Sequence, residues 1–321
     1  MECALSGSSF KRVIVVRILG ILLSLVNLLA WAQEAPPPTA EEIPIPVGVG
    51  REIVELKMIS LPKYEWGMGG GVFVLPHYPG SDQTIAHSLV LPYFVYRGDA
   101  LKVDRQGRLR TDFFSSEQYD IDVSVSGAFA SNSEDNEARQ GMEDLDWMLE
   151  VGPRLVLHLL PSRVSFKATL DLNLPIRWVV STDFGRVDHR GFTFTPNLIY
   201  RHPDTFIKDL TLILSGTMTY ATEALQDYFY EVPFEFAKPS RPEFDASGGY
   251  MSTSALLGFG YRWDNDLLVF IGGQASYYDG AINSDSPLLR SLWGYSYGIG
   301  LAWKFYESDE MSSVTFDPED Y

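Results

Sequence analysis

Cysteine is almost absent: the 321-residue sequence has one, Cys3, ahead of an apolar run near the N-terminus. Three basic residues precede that run, residues 18–30, and the small residues of Ala30-Trp31-Ala32 close it. This order is typical of a secretory signal, so we predict that residues 1–32 are a signal peptide. Loss of Cys3 with the signal would exclude disulfides, cysteine metal sites and cysteine nucleophiles from the mature chain.

Positive charge is also scarce. The chain has 25 Lys and Arg residues against 42 Asp and Glu residues, for a net charge of −17. Removing residues 1–32 takes away three basic residues and Glu2, which lowers the net charge to −19. Nucleic acid is repelled by such a surface, so we expect no nucleic-acid partner.

Long hydrophobic runs are missing beyond residue 32, since no stretch approaches the roughly 18 to 20 apolar residues of a spanning helix. A helical membrane protein is therefore not expected. Aromatic residues, however, make up 13% of the chain, which is unlike a disordered acidic protein.

Residues 295–305 show what these aromatics do. Tyr295, Tyr297, Ile299, Leu301, Trp303 and Phe305 alternate with small or polar residues. Side chains alternate between the two faces of a strand, so one face is large and apolar. Aromatics at both ends with aliphatics between them are typical of a transmembrane strand that faces lipid.

Residues 119–129 and 164–174 repeat the alternation, with Asp120, Asp122, Lys167 and Asp171 on their polar rows. Such charges could not be buried on both faces of a sheet. We predict an all-β fold: a transmembrane antiparallel up-and-down β-barrel of about twelve strands, with ten to fourteen possible. The candidate strands are 64–75, 88–97, 101–105, 109–114, 119–129, 145–159, 164–174, 192–201, 210–220, 251–263, 267–278 and 295–305.

The domain organisation follows from composition. Residues 33–62 hold six prolines and are predicted to be a Pro-rich linker. Residues 63–305 would form the barrel and 306–321 an acidic C-terminal tail. The long connections 131–144 and 221–249 alternate with short ones, which favours long loops at the cell surface and short turns in the periplasm.

The long connection 221–249 holds the candidate partner or ligand site, because aromatics in a water-facing loop often mark a contact surface. These aromatics are Tyr228, Phe229, Tyr230, Phe234, Phe236 and Phe244. A loop that folds inward and packs on the barrel mouth is the equally weighted alternative.

The candidate lumen lining comprises Arg154, His158, Lys167 and Asp171, which are predicted to point inward. They could fill the barrel as ion pairs, which we favour, or line a pore for a small solute. None of the five histidines has metal-ligand spacing or lies in a hydrolase motif. We therefore expect no catalytic residue, metal or cofactor. The acidic residues of loop 131–146 are expected to be hydrated surface charge, with divalent cations bridging to lipopolysaccharide as the alternative.

Four stretches resemble one family of outer-membrane proteins. They are Tyr78-Pro-Gly-Ser-Asp82, Leu91–Arg97, Gln226–Val232, and the region from Ala246–Tyr250 through Asp285–Leu288 to Phe305. In this order they resemble the MipA/OmpV family, named for the MltA-interacting protein. The resemblance covers residues 64–305 and implies a barrel without known catalysis.

The resemblance implies a non-enzymatic scaffold that bridges a murein-cleaving lytic transglycosylase and a bifunctional penicillin-binding protein in the bacterial outer membrane. The alternatives are a passive channel or small-solute transport barrel, a surface adhesin and, with least support, a barrel hydrolase. Lipid and lipopolysaccharide are the expected surroundings. One feature departs from the family pattern: such proteins usually end at the last strand's aromatic, whereas acidic residues continue here after Phe305.

Overall fold

The computed structural model describes most of the chain that follows the predicted linker. The described residues are 58–96, 101–103, 109–111, 114–115, 118–160, 168–264 and 266–315. The predicted signal peptide, most of the predicted linker and Lys167 lie outside these ranges. No helix among the described residues is long and apolar enough to cross a membrane.

Strands dominate the described residues. In chain order they are β1 (Met58–Pro62), β2 (Tyr64–Pro76), β3 (Thr84–Tyr96), β4 (Leu101–Val103), β5 (Leu109–Thr111), β6 (Phe114–Ser115), β7 (Tyr119–Ala128), β8 (Trp147–Leu160), β9 (Thr169–Thr182), β10 (Val187–Phe194), β11 (Asn197–His202), β12 (Leu210–Ala221), β13 (Gly249–Arg262), β14 (Leu267–Tyr277), β15 (Trp293–Glu307) and β16 (Met311–Thr315). One α-helix, α1 (Glu223–Tyr230), and two short 3-10 turns, Ser133–Asp135 and Phe234–Phe236, lie in the connections.

One antiparallel sheet of twelve strands forms the barrel wall, in the order β3-β2-β15-β14-β13-β12-β10-β9-β8-β7-β6. β11 pairs with both β12 and β9, so it continues the path of β10 after a break at Thr195-Pro196. The described part of β6 has two residues, and the described residues make ten full crossings of the wall. The two ends of the sheet approach each other where the His87 and Phe129 rings stack at 4.2 Å.

Large apolar side chains face outward from the wall and small or polar ones face inward, as the alternation in the sequence predicts. The large residues of β15 from Tyr295 to Phe305 are exposed on the outside of the wall, and Ala302 is buried on the inside. On β7 Ile121 and Val123 face outward while Asp120 is buried. The all-β barrel prediction is confirmed, and β15, the last strand of the wall, pairs with β2.

The two ends of the barrel differ. The short connections β11–β12 and β13–β14 lie at the same end as the junction of β15 with β16, since Arg262 donates to Asp209 and Lys304 to Asp266 through their backbone N–H groups. The long connections 129–146, 222–248 and 278–292 lie at the other end. In outer-membrane barrels short turns face the periplasm, so the long connections face the cell exterior.

The segments on either side of the barrel pair with each other. β1 and β16 form a separate two-stranded antiparallel sheet, in which Met58 pairs with Thr315 and Pro62 with Met311. Lys63 continues this contact with an ion pair to Glu310 at 2.6 Å. Residues assigned from sequence to the linker and to the acidic tail therefore meet at the periplasmic end.

Candidate functional site

A cap formed by residues 222–248 covers the exterior mouth of the barrel. Its helix α1 turns Leu225, Phe229 and Tyr230 inward, and Val232 follows them. They pack with inward side chains of the wall and of the neighbouring loops, namely Tyr78, Leu145, Met148, Val179, Met251 and Leu288. Burial of each such side chain contributes about 1.5–3 kcal/mol, which holds the cap on the barrel.

Two buried amides join the cap to the connection 278–292. The Gln226 side chain donates to the Gly249 carbonyl at 3.2 Å and accepts from Asn283 at 3.1 Å. Asn283 also donates to the Ser247 carbonyl and accepts from the Ser247 N–H, both at 2.9 Å. These bonds satisfy polar groups that burial would otherwise leave unpaired.

Two buried arginines join the cap to the acidic connection 129–146. Arg139 donates to the carbonyls of Phe229 and Glu143, and Arg241 donates to those of Ala138 and Phe236. The two side chains therefore join the backbone of the acidic connection to that of the cap. The acidic connection is part of the cap assembly and is not a free loop.

The six aromatics predicted as a contact surface take different positions. Phe229 and Tyr230 are buried, and burial raises the pKa of the Tyr230 hydroxyl well above its ordinary value. Tyr228 accepts from the Asp146 N–H at 2.6 Å and lies under the Arg190 guanidinium. Phe236 and Phe244 are half-buried, and Phe234 is 81% exposed. Most of the set packs inward, which is the second of the two arrangements weighed from the sequence.

Asp227 is an acidic residue of the cap whose surroundings destabilise the ionised carboxylate. Its Oδ1 atom is buried and has no hydrogen-bond partner among the described residues. Burial first, and then the charges of Glu231, Glu223 and Asp245, raise the pKa of Asp227 to about 6. A carboxylate in this position opposes closure of the cap when it is ionised.

One wall of the lumen carries a chain of polar side chains near its periplasmic end. His158 contacts Asp120 through Nε2 at 2.9 Å and Asp171 through Nδ1 at 2.7 Å. Arg201 then donates to the second oxygen of Asp171 at 3.1 Å. Strands β7, β8, β9 and β11 supply these residues, so the chain ties four strands of one wall together.

Two further ion pairs lie above this chain on the same wall. Arg154 binds Asp122 with two parallel hydrogen bonds, at 2.9 and 2.5 Å. Arg177 binds Glu150 at 2.9 Å and also donates to the hydroxyls of Ser124 and Thr195. Of the predicted lumen residues, Arg154 and Asp171 thus lie inside the barrel in ion pairs, His158 lies there between two carboxylates, and Lys167 is outside the described residues.

The opposite wall of the lumen is apolar or small. Phe73 and Leu89 from β2 and β3, with Phe270 from β14, face glycine-rich segments of the sheet. A cavity of about 740 Å³ lies between the two walls, with Leu225, Tyr228 and Phe229 of the cap among its lining residues.

The periplasmic turn 203–209 was predicted only as a short connection. Asp204, Phe206 and Asp209 have positive φ angles of 53°, 64° and 65°, a conformation that side chains disfavour. The turn is fixed by hydrogen bonds such as Asp209 N–H to the Asp204 carboxylate at 2.9 Å. It presents Phe206, which is 84% exposed, and the neighbouring exposed Ile207. No sequence signal distinguishes this arrangement from an ordinary polar turn.

The ring nitrogens of His158 and His77 contact polar side chains. His158 contacts the carboxylates of Asp120 and Asp171. His77 contacts the hydroxyl of Ser131 at 2.8 Å, but that serine is buried, and burial also lowers the pKa of His77. Among the described residues no group of three His, Asp or Glu side chains is placed to hold a metal ion.

These features define an outer-membrane β-barrel with a capped exterior mouth and an ion-paired lumen. A family profile described as MltA-interacting protein MipA matches residues 68–305. The chain therefore belongs to the MipA family, as its motifs predicted.

Other comparisons add little. No curated protein matches the chain. Similar solved structures include a bacterial polysaccharide outer membrane secretin (TM-score 0.37, 8% identity, 76% of this chain and 98% of that one). OprB of Pseudomonas putida gives TM-score 0.34 at 10% identity, over 75% of this chain and 94% of that one. OprG of Pseudomonas aeruginosa gives 0.19 at 11% identity, over 76% and 97%.

Proposed function

We propose that this barrel is a non-enzymatic docking protein for murein enzymes at the inner side of the outer membrane. Its first partner would be a murein-cleaving lytic transglycosylase, because the family to which it belongs is described as MltA-interacting. A penicillin-binding protein would join the same assembly. Lipid would surround the barrel wall, and lipopolysaccharide would surround its exterior loops.

The lumen supports a docking role over transport. The cap packs across the exterior mouth through a buried apolar cluster. Below it, ion pairs and the Asp120–His158–Asp171 chain line one wall and narrow the space that a channel would need for water. Opening a path through the mouth would expose the apolar cluster to water, which costs free energy.

The periplasmic turn 203–209 supplies the contact that we assign to the enzyme. Phe206 is held in a left-handed conformation and is 84% exposed at the end that faces murein. Backbone strain of about 1–3 kcal/mol persists only where the surrounding structure enforces it, and it is often found at functional sites. Exposed, rigidly held apolar residues make strong contact points for a protein partner.

Cross-linked pull-down of a lytic transglycosylase with the detergent-solubilised barrel tests this proposal. We expect Phe206→Ser combined with Ile207→Ser to weaken binding of the enzyme about thirtyfold or more, since a buried aromatic contact is worth about 2 kcal/mol or more. Phe234→Ser is the matched control, because Phe234 is equally exposed but lies on the exterior cap.

The opposite result would be equally informative. If Phe234→Ser abolished recovery and the turn variant did not, the contact would lie on the cap and the assigned surface would be wrong. Failure of the unaltered barrel to recover either a lytic transglycosylase or a penicillin-binding protein would defeat the docking role itself.

A further inference from the structure

The cavity inside the barrel has features that the docking role does not use. Its volume of about 740 Å³ lies within the range of pockets that hold small molecules. The cap encloses it above, and the side chains Arg154 and Arg201 line it toward the periplasmic end. A ligand of one or two rings would fit inside such a space.

The arginines of the lining are already paired. Arg154, Arg177 and Arg201 bind Asp122, Glu150 and Asp171. The remaining lining carboxylate, Asp146, lies at the rim, where burial first and then the Asp183 charge raise its pKa. An ionic ligand would thus leave water for a space whose arginines are paired and whose one further carboxylate lies at the rim, which costs free energy. The lining favours a ligand without net charge.

Several hydroxyl groups of the lining, in contrast, remain available for hydrogen bonds to a ligand. The side chains of Ser126, Ser215, Thr217, Thr219 and Ser296 line the cavity and form no side-chain hydrogen bond with another described residue. Each hydroxyl can both donate and accept, so a partner rich in hydroxyl groups matches them. These five residues come from β7, β12 and β15 and therefore surround the space from different sides.

Phe73 provides a flat apolar surface on the facing wall. A side chain at Gly298 would lie 2.5 Å from the Phe73 ring, and one at Gly71 would lie 2.9 Å from it. The two glycines therefore let the ring lie against the sheet. The C–H face of a sugar ring can pack on such an aromatic surface while its hydroxyls reach polar groups on its edge.

We propose that the cavity binds an uncharged saccharide of one or two rings. The open hydroxyls would exchange hydrogen bonds with the sugar, and Phe73 would pack against its apolar face. The Arg177–Glu150 pair, which also bonds Ser124, Thr193 and Thr195, would hold the polar wall rigid without contributing net charge.

Saturation-transfer NMR with the full-length barrel in a detergent that carries no sugar tests this inference. The probes are cellobiose, N,N′-diacetylchitobiose and the charged analogues cellobionate and chitobiose. We expect at least one neutral disaccharide to bind, and each charged analogue to bind about tenfold more weakly than its neutral counterpart. Equal binding of neutral and charged probes, or binding of none, would overturn the proposal.

Paired variants on β12 locate the site. Thr217→Trp would fill the cavity and abolish binding, whereas Met218→Trp, one residue along on the lipid-facing side, would leave it unchanged. Phe73→Leu would weaken binding several-fold by removing the ring surface. Heat-modified migration on a gel shows that each variant still forms a barrel, and neutral-sugar binding that survives Thr217→Trp in a folded barrel would refute the cavity as the site.

Discussion

At the scale of single residues, Asp227 links the cap to pH. Its pKa is about 6 in the folded cap against an ordinary 3.8, so the folded form holds the proton more tightly than the unfolded form. The cap accordingly loses stability as the pH rises from about 4 to about 6, and the penalty stays constant above that. The lost stability is regained when the pH falls.

Asp227→Asn removes the penalty. We expect the variant to slow hydrogen exchange of the α1 amides at about pH 8 and to leave it unchanged at about pH 2.5, where Asp227 is protonated in both states. Glu235→Gln is the control, because Glu235 is exposed in the 3-10 turn and shares the negative charge of the cap. Faster exchange in Asp227→Asn at the higher pH would show that the carboxylate stabilises the cap.

At the scale of elements, the wall strands could be read from the sequence because alternation is a local property. The predicted strands 210–220 and 251–263 lie within two residues of β12 and β13. The predicted strand 192–201, however, is divided into β10 and β11, because Pro196 has no N–H group to continue the ladder. The predicted strand 164–174 overlaps β9 from Thr169, and β9 runs on to Thr182 past Pro175, while residues 164–167 lie outside the described ranges.

The cap could not be read in the same way. Tyr230 is buried against residues far away in sequence, and Gln226 meets Asn283 across 57 positions. Aromatics in a long connection predict either an exposed or an inward-packed loop until those distant partners are known. The inward direction of the ion-paired residues could be predicted locally, because Asp122, Arg154 and Asp171 all fall on polar rows of recognisable strands.

The amide contact offers a prediction for the cap as an element. Asn283→Leu would leave Gln226 and the Ser247 backbone unpaired in a buried site, at a cost of about 2–3 kcal/mol. We expect limited proteolysis to cut within 222–248 while the barrel keeps its heat-modified migration. Gln140→Leu, a change of an exposed amide, serves as the control, and an uncut cap in Asn283→Leu would show that apolar packing alone closes the mouth.

At the scale of the whole molecule, closure of the barrel depends on where β15 ends. The sequence placed its end at Phe305, but pairing with β2 continues to Glu307, opposite Glu65. Tyr306 also packs on Trp66, and Glu307 forms an ion pair with Lys304 at 2.6 Å. Pairs beyond the last predicted aromatic are therefore part of the wall.

Two truncations separate these contributions. Deleting 308–321 removes β16 but leaves β15 complete, so we expect a folded barrel with nearly unchanged thermal stability. Deleting 306–321 also removes Tyr306 and Glu307, and we expect it to lower the unfolding temperature by the loss of about 1–2 kcal/mol. Heat-modified migration at rising temperature measures both, and a barrel that fails to form without 308–321 would show that the β1–β16 sheet is needed for closure.

The β1–β16 sheet also makes circular permutation of the chain possible. Its strands are antiparallel neighbours, with Met58 opposite Thr315, so a short linker could join the two ends of the described chain without stretching it. New termini could then be opened at an exposed site such as the 3-10 turn near Phe234. The barrel is in this respect nearly a closed ring of polypeptide, and a circular permutant would carry its free ends on the cell surface, where tags or binding modules could be displayed.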